Sequence, residues 1–247
     1  MRVPVVSIIV VSIAVGLSIP VLADRKQAKE EQVCVNELKA LIETESIETD
    51  LVVESKEELK KELCPQESVY ESQYNFDTLR EENKDIIAWI NIPGTNVDYP
   101  VLFDGTDEYL HKNLGGEDSA SGSIYVDATT KNVLDDEINI IYGHNMKNGT
   151  MFADVDQFSE KEFWDEHQDV DIYLEDHEIR MTVVASVVGA CDAKLRSIDT
   201  IEKLKDFCKD KTITNGTIPG EWEQMYVLVT CNYMGDNFRT YLFCKRK

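Results

Sequence analysis

The sequence is poor in several residue types, and each shortage excludes a class of protein. Glycine occurs 12 times and proline 6 times in 247 residues, which excludes collagen-like and low-complexity chains. Lysine and arginine total 25 against 47 aspartate and glutamate residues, so the formal net charge is -22. Such an acidic surface argues against nucleic-acid binding and against adhesion to anionic lipid through a basic face. Hydrophobic residues still make up 43% of the chain, which is enough for a folded core.

Cysteine is sparse, and its spacing matches no metal-site pattern. The 6 cysteines include no close C-x-x-C pair, so a zinc site and a small disulfide scaffold are both disfavoured. Some of them can form disulfides, but the spacing does not decide which. Without further context, each is interpreted as a buried apolar thiol. The positions are Cys34, Cys64, Cys191, Cys208, Cys231 and Cys244.

The N-terminus contains one long apolar run. Residues 3–22 are almost wholly apolar, Arg2 precedes them, and Asp24 follows directly after residue 23. About 20 helical residues cross a hydrocarbon layer, so residues 1–23 are predicted to be a membrane anchor. A cleaved signal peptide is the alternative, because residues 21–23 resemble a small-residue cleavage site. Either interpretation predicts that the rest of the chain is exported.

Residues 24–74 form a charged segment between this run and the remaining chain. They are rich in Glu and Lys, with Leu38, Leu41 and Ile42 at helical spacing and a second helical pattern that ends at Pro65. We predict a helical stalk or an N-terminal arm that packs on the following domain. A solvated charged spacer is the alternative.

Residues 75–247 are predicted to be one mostly β domain. A helical pattern covers residues 76–90, with Asp77 as a candidate N-cap, and further helices are predicted at 151–158 with its continuation and at 200–209, capped by Ser197 or Asp199. Short strands separated by turns favour an antiparallel β-barrel or sandwich. The predicted strands cover residues 90–92, 97–102, 123–126, 138–142, 170–174, 179–188, 226–231 and 238–244.

One candidate reactive side chain is His144, which follows a predicted strand and Gly143 in the run YGHN. Histidine is the side chain whose unperturbed pKa lies near neutrality, so it can both give and take a proton there. A lone histidine at a strand end can equally be a structural hydrogen-bonding group. His111, His167 and His177 lie in polar or helical surroundings and are given that structural interpretation.

A second candidate segment is the predicted hairpin that carries Cys231 and Arg239. An apolar strand ends at Cys231, a Gly-Asp-Asn turn reverses the chain, and the next strand contains Arg239. An odd-numbered loop centred on Gly235 would place the two residues opposite each other on one face. A two-residue loop would place them on opposite faces. A guanidinium beside a sulfur favours the thiolate and can donate to a developing oxyanion.

Together these side chains supply a nucleophile, a general acid and base, and a cationic group that stabilises an oxyanion, as acyl transfer requires. Their order along the chain is His, Cys, Arg, whereas a papain-like protease has its Cys first. The combination resembles the catalytic residues of sortases. The wider pattern resembles class B sortases over residues 75–247, through the runs at residues 89–101, 142–146 and 149–152.

The resemblance implies a mostly β, eight-stranded sortase-type β-barrel with N-terminal helices on the outer face of a Gram-positive cell. It implies a cysteine transpeptidase in which Cys231 attacks the Thr carbonyl of a sorting signal. His144 would transfer protons, Arg239 would hold the oxyanion, and Thr230 and Asn145 would bind substrate. The implied partners are secreted proteins that carry the signal, a peptidoglycan-precursor or pilin amine, and the membrane. No metal or organic cofactor is implied.

Two departures from the class B pattern concern the substrate. Val229 stands where many members carry Ser, and residues 193–219 predict only a short helix where a long one is usual. A lid of the Asp-Pro-aromatic type is not seen ahead of the barrel, which disfavours a lid-gated pilus polymerase. Two alternative functions are another exported cysteine peptidase or acyl-transferase, and a non-catalytic surface binding module.

Overall fold

The computed structural model describes residues 29, 32–40, 70–221 and 223–247. These residues form nine β-strands together with short helices and 3₁₀ turns. The predicted membrane segment lies outside the described residues, and within them no helix is long and apolar enough to cross a bilayer. The strands are β1 (Ile86–Asn91), β2 (Asp98–Leu102), β3 (Ile124–Val126), β4 (Ile138–Tyr142), β5 (Asp169–Tyr173), β6 (Glu178–Ala190), β7 (Thr212–Gly216), β8 (Met225–Asn232) and β9 (Phe238–Arg246).

Eight of the strands close into a barrel. The order β5-β1-β2-β3-β4-β8-β9-β6 returns to its start because β5 also pairs with β6, which confirms the predicted eight-stranded barrel. The ninth strand, β7, pairs with the second half of β6 and was not predicted. The prediction of an antiparallel sheet is wrong in two places, since β2 pairs with β3 and β4 pairs with β8 in parallel. Parallel neighbours need long crossovers, and β5, β6 and β7 lie in the connection from β4 to β8.

Apolar side chains from all eight strands of the ring fill the barrel interior. They include Ile90, Val101, Ile141, Leu228 and Leu242, each 0% exposed. Strand residues alternate between the two faces, so the neighbouring residues point outward. On one side of the barrel these outward residues form a second core that is covered by the β6–β7 connection.

Short helices pack on the barrel. The predicted helix over residues 76–90 ends early, because Asn83 adopts an extended conformation and β1 begins at Ile86. Asn75, not Asp77, caps this helix, and Thr200, not Ser197 or Asp199, caps the helix of the β6–β7 connection. The predicted helix from residue 151 is two separate helices. The helices are α1 (containing residues 32–40), α2 (Phe76–Glu82), α3 (Ala153–Gln157), α4 (Lys161–Glu166) and α5 (Ile201–Cys208).

Helix α1 packs against the barrel. Leu38 is 3% exposed and contacts the cluster built on Phe76 and Trp89. Lys39 Nζ lies 2.7 Å from Asp98 Oδ2, and the Tyr99 hydroxyl donates to Gln32 Oε1 over 3.1 Å. Residues 32–40 of the charged segment thus contact the domain, and the arm formed by residues 24–74 as a whole stays a prediction.

Candidate active site

Strand β4 delivers His144 to the rim of the barrel through a tightly packed glycine. The Gly143 amide donates to the Val229 carbonyl over 3.1 Å, which continues the β4–β8 pairing past the end of β4. A Cβ at Gly143 would lie 2.4 Å from Ile124 Cδ1 and 2.6 Å from Phe152 Cγ, both in the barrel interior. Glycine avoids these contacts, and by alternation the residue after it points away from the interior.

The loop of the β8–β9 hairpin has an odd number of residues, which is the first of the two alternatives left open by the sequence. Cys231 pairs with Arg239 and Asn232 pairs with Phe238, so residues 233–237 form a five-residue loop centred on Gly235. Asn237 has a φ of 60°, and the Phe238 amide donates to the Gly235 carbonyl over 3.2 Å. Cys231 and Arg239 therefore share one face of the sheet.

His144 comes into the same row through the parallel pairing of β4 with β8. Tyr142 pairs with Val229, and His144 and Cys231 each follow two residues later. Tyr142, Val229 and Tyr241 all belong to the outer core beneath the β6–β7 connection. By alternation, the three predicted catalytic residues continue this outer face at the ends of three neighbouring strands.

The environment of His144 keeps its imidazole neutral. Burial lowers the pKa of His144 below its ordinary value of about 6.5, and the charges of His111 and Arg239 lower it further. Its Nε2 lies 2.8 Å from the Leu110 carbonyl oxygen, which only accepts hydrogen bonds. The neutral ring therefore donates from Nε2 and keeps Nδ1 as the acceptor of a proton.

Histidine 111 is a neighbour that the sequence analysis did not place at the site. The ring centroids of His111 and His144 are 6.4 Å apart. His111 lies in the β2–β3 connection, and the Leu110 carbonyl of the same connection binds His144. Because His111 is not on a strand, no strand pattern predicts that it lies close to His144. The other two histidines have local partners, since His167 stacks on Phe163 and His177 binds Asp176.

The two predicted substrate-binding residues occupy different positions. Asn145 Nδ2 lies 2.9 Å from the Cys231 carbonyl oxygen and 3.0 Å from Asp156 Oδ2, so this side chain holds the backbone of the nucleophile strand. Thr230 is 2% exposed and, by alternation, faces the barrel interior with Leu228. Its hydroxyl has no hydrogen-bond partner among the described residues. A substrate role for either side chain stays a prediction.

The β6–β7 connection is tied down beside this row. It contains a 3₁₀ turn, Ala193–Ser197, which carries Arg196. Arg196 Nη2 lies 2.9 Å from Asp107 Oδ2, and Arg196 Nε lies 2.5 Å from Asp127 Oδ2. The Asp127 side chain is only 3% exposed, so this ion pair is partly desolvated. Leu195 packs into the outer core from the same turn.

Among the described residues, the cysteines other than Cys231 form no second site. The described ones, Cys34, Cys191, Cys208, Cys231 and Cys244, are free thiols, and Cys64 lies outside the described residues. Burial raises the pKa of Cys208 to about 11. Within residues 29, 32–40, 70–221 and 223–247, no group of three or more His, Cys, Asp or Glu side chains is arranged to hold a metal ion.

The chain has clear relatives among known proteins. The family model "Sortase domain" matches residues 90–247. Sortase B of Listeria monocytogenes is 44% identical over 86 residues, which are 34% of this chain and 35% of that protein. Sortase B of Staphylococcus aureus is 33% identical over 94 residues, which are 38% of each chain. The aligned stretches thus span little more than a third of these relatives.

Solved structures extend the likeness to the whole barrel. Clostridium perfringens sortase B superposes with a TM-score of 0.59 at 28% identity, covering 70% of this chain and 100% of that one. A Staphylococcus aureus sortase B-substrate complex gives a TM-score of 0.68 at 20% identity, covering 90% and 98%, and supports the fold alone. Because the family model covers more than half of its length, the chain belongs to the sortase family, and its relatives by sequence and by structure are class B sortases.

Proposed function

We propose that the protein is a class B-like cysteine transpeptidase that cleaves the sorting signal of secreted proteins and joins them to an amine. The row of His144, Cys231 and Arg239 on one face of β4, β8 and β9 carries this proposal. The three side chains supply the nucleophile, the proton carrier and the cation that acyl transfer needs, at adjacent strand ends.

The first half-reaction forms a thioester. Neutral His144 takes the Cys231 thiol proton as Sγ attacks the Thr carbonyl carbon of the signal. The carbonyl oxygen becomes an oxyanion, and the Arg239 guanidinium donates hydrogen bonds to it. The C–N bond then breaks as His144 returns its proton to the leaving nitrogen, so the C-terminal fragment departs as an amine and Cys231 remains acylated.

The second half-reaction transfers the acyl group. The acceptor amine attacks the thioester carbon, and His144 removes a proton from the attacking nitrogen. Arg239 again holds the oxyanion until the C–S bond breaks. Cys231 leaves as a thiolate and recovers the proton from His144. The lowered pKa of His144 keeps the base form abundant at neutral pH for this step.

The substrates are proposed by analogy with relatives. A Staphylococcus aureus sortase B has been solved as a substrate complex, and a Streptococcus pyogenes class B sortase is described as involved in pilus biogenesis. We take the donor to be a secreted protein that carries a sorting signal, and the acceptor to be a peptidoglycan-precursor amine or a pilin amine. Nucleic acid and cofactors have no part in this reaction.

Residues 1–23 are proposed to anchor the enzyme at the extracytoplasmic face of the membrane, with residues 24–74 as the arm and residues 75–247 as the catalytic domain. Cell fractionation of the full chain and of a chain lacking residues 1–23 tests this. The full chain should remain in the membrane fraction, and the shortened chain should be soluble and active. An insoluble or inactive shortened chain would mean that the segment has a structural role.

The decisive experiment for the activity is intact-mass measurement of the full chain after incubation with a library of sorting-signal peptides. A thioacyl adduct on the wild type but not on Cys231→Ala, released faster when an amine is added, supports the transpeptidase and identifies its signal. Release at one rate with and without amine would support a hydrolase. Absence of both adduct and cleavage, with binding retained in Cys231→Ala, would support a surface binding module.

A further inference from the structure

A single carboxylate, Asp156, connects the residues that follow the three proposed catalytic residues. Asn145 follows His144, Asn232 follows Cys231, and Thr240 follows Arg239. All three donate hydrogen bonds to Asp156, which lies on helix α3. The distances are 3.0 Å from Asn145 Nδ2 to Oδ2, 2.6 Å from Asn232 Nδ2 to Oδ1, and 2.5 Å from Thr240 Oγ1 to Oδ1.

This convergence follows from the alternation of side chains along strands. If a residue points to the outer face, the next residue points to the barrel interior. Asn232 and Thr240 are accordingly buried, at 5% and 0% exposure, and Asn232 Nδ2 also lies 3.0 Å from Thr240 Oγ1. Asp156 therefore reaches the row from behind the sheet and has no place in the acyl-transfer chemistry itself.

Two further bonds carry this restraint to the reacting groups. The Asn145 side chain that binds Asp156 also donates to the Cys231 carbonyl over 2.9 Å, so it joins the end of β4 to the nucleophile. Asn232 Oδ1 accepts the Met234 amide over 2.9 Å, which fixes the start of the β8–β9 loop. The β8–β9 loop adds another link, since the Tyr233 hydroxyl donates to the Asn145 carbonyl over 2.5 Å.

We propose that Asp156 is a positioning residue for the reaction proposed above, and that it holds the strand ends of His144, Cys231 and Arg239 in one row. A carboxylate suits the position because it only accepts and has room for about four donors. An amide there would turn one NH₂ group toward a donor. If one of these catalytic side chains is displaced by about 1 Å, the rate of the reaction can fall about a hundredfold.

The test compares Asp156→Asn with Asp154→Asn in the full chain. Asp154 lies on the same helix, is 5% exposed, and accepts the Asn96 amide and Nδ2 over 2.7 and 3.0 Å, away from the row. With a cleavable peptide, Asp156→Asn should lower kcat by about tenfold or more and change KM by less than about threefold. Asp154→Asn should lower only the thermal midpoint.

A charge swap provides the rescue. In Asp156→Asn with Asn232→Asp, the new carboxylate at position 232 accepts from the amide at 156 and from Thr240, and the amide oxygen at 156 accepts from Asn145. This pair should restore kcat to within about threefold of wild type. Full kcat in Asp156→Asn, or no recovery in a stably folded swap, overturns the proposal. If Asp156→Asn does not fold, Thr240→Val is measured instead, and unchanged kinetics there overturn it.

A readout without substrate separates this proposal from the proposed function on which it rests. Iodoacetamide alkylates free thiols, and mass analysis of the peptides gives the rate of alkylation of Cys231 divided by that of the exposed Cys34 on α1. Asp156→Asn should lower this ratio at least about fivefold, because His144 and Arg239 lose their alignment with the Cys231 thiol. A wild-type chain that transfers no peptide would contradict the function, whereas an unchanged labelling ratio would contradict the role of Asp156.

Discussion

Cys231 and Arg239 lie directly opposite each other on β8 and β9, and the loop between them has five residues. In an antiparallel pair, opposed side chains share a face with Cβ atoms about 5 Å apart. A loop with one residue fewer would shift the register and move one of the two residues to the other face. The placement of the Cys231 thiol and the Arg239 guanidinium on one face of the sheet therefore depends on the length of the 233–237 loop.

The first prediction concerns the shape of the Arg239 side chain. Arg239→Lys keeps the positive charge but replaces a planar fork of donors by a point charge. Loss of an oxyanion donor costs about a hundredfold or more in rate, so kcat with a cleavable peptide should fall by about that factor. Steady-state kinetics and single-turnover acylation measure this directly.

The matched control is Arg246→Lys on the same strand, where Arg246 Nη1 donates to Gln224 Oε1 over 2.8 Å at the other end of β9. That substitution should leave kcat within about twofold of wild type. If Arg239→Lys were equally silent, the oxyanion role of Arg239 would have to be abandoned.

The second prediction concerns Gly143, which precedes His144. In Gly143→Ala the added methyl meets Ile124 Cδ1 and Phe152 Cγ in the packed core, and overpacking of this kind costs about 1–3 kcal/mol. Relief of the clash displaces the end of β4, so kcat should fall along with stability. Urea unfolding and peptide cleavage measure the two effects.

Gly220→Ala is the control for Gly143→Ala, because a Cβ at Gly220 meets nothing within 4 Å. It should change the free energy of unfolding by less than about 0.5 kcal/mol. Equal stability of the two variants would show that the close packing at Gly143 is not a real restraint on His144.

The third prediction concerns protonation of His144. The charge of His111 helps to lower the pKa of His144, so His111→Gln should raise that pKa toward its ordinary value. More imidazolium would then be present near pH 6. Titration of the histidine ring resonances by NMR gives the midpoint in the wild type and in the variant. His177→Gln is the control, since His177 binds Asp176 and is not among the charges that lower the pKa of His144. A downward shift of the pKa of His144 in His111→Gln would contradict the prediction.

The fourth prediction concerns the ion pair that ties down the β6–β7 connection. Arg196→Met leaves the carboxylate of Asp127 buried without its cation, which should lower the free energy of unfolding by about 3 kcal/mol. Adding Asp127→Asn removes the uncompensated charge and should recover part of the loss. Lys194→Met in the same turn breaks an exposed pair with Asp206 and should cost less than about 1 kcal/mol. Chemical unfolding of the four chains measures these differences, and equal losses for Arg196→Met and Lys194→Met would rule out the proposed restraint.

Local patterns predict much of this fold. Alternating apolar residues identify most of the barrel strands, and the turn residues around Gly235 identify the β8–β9 hairpin. The sequence pattern does not predict strand β7 (Thr212–Gly216), because this strand is short, largely exposed and ends in glycine. The helix predicted over residues 76–90 was too long because Ile86 and Ile87 fit a helical period and a strand equally well, and only their pairing with β2 and packing in the barrel select the strand.

The sequence alone determined the kinds of side chain available for chemistry: a histidine after a glycine, a cysteine at the end of an apolar strand and an arginine on the next strand. It left the hairpin register open and placed His144 far from Cys231 along the chain. The parallel pairing of β4 with β8, the five-residue loop and the convergence on Asp156 were decided by the tertiary structure. The reason is physical: alternation is a local property that decides which residues share a face, whereas closure of the barrel decides which strands become neighbours.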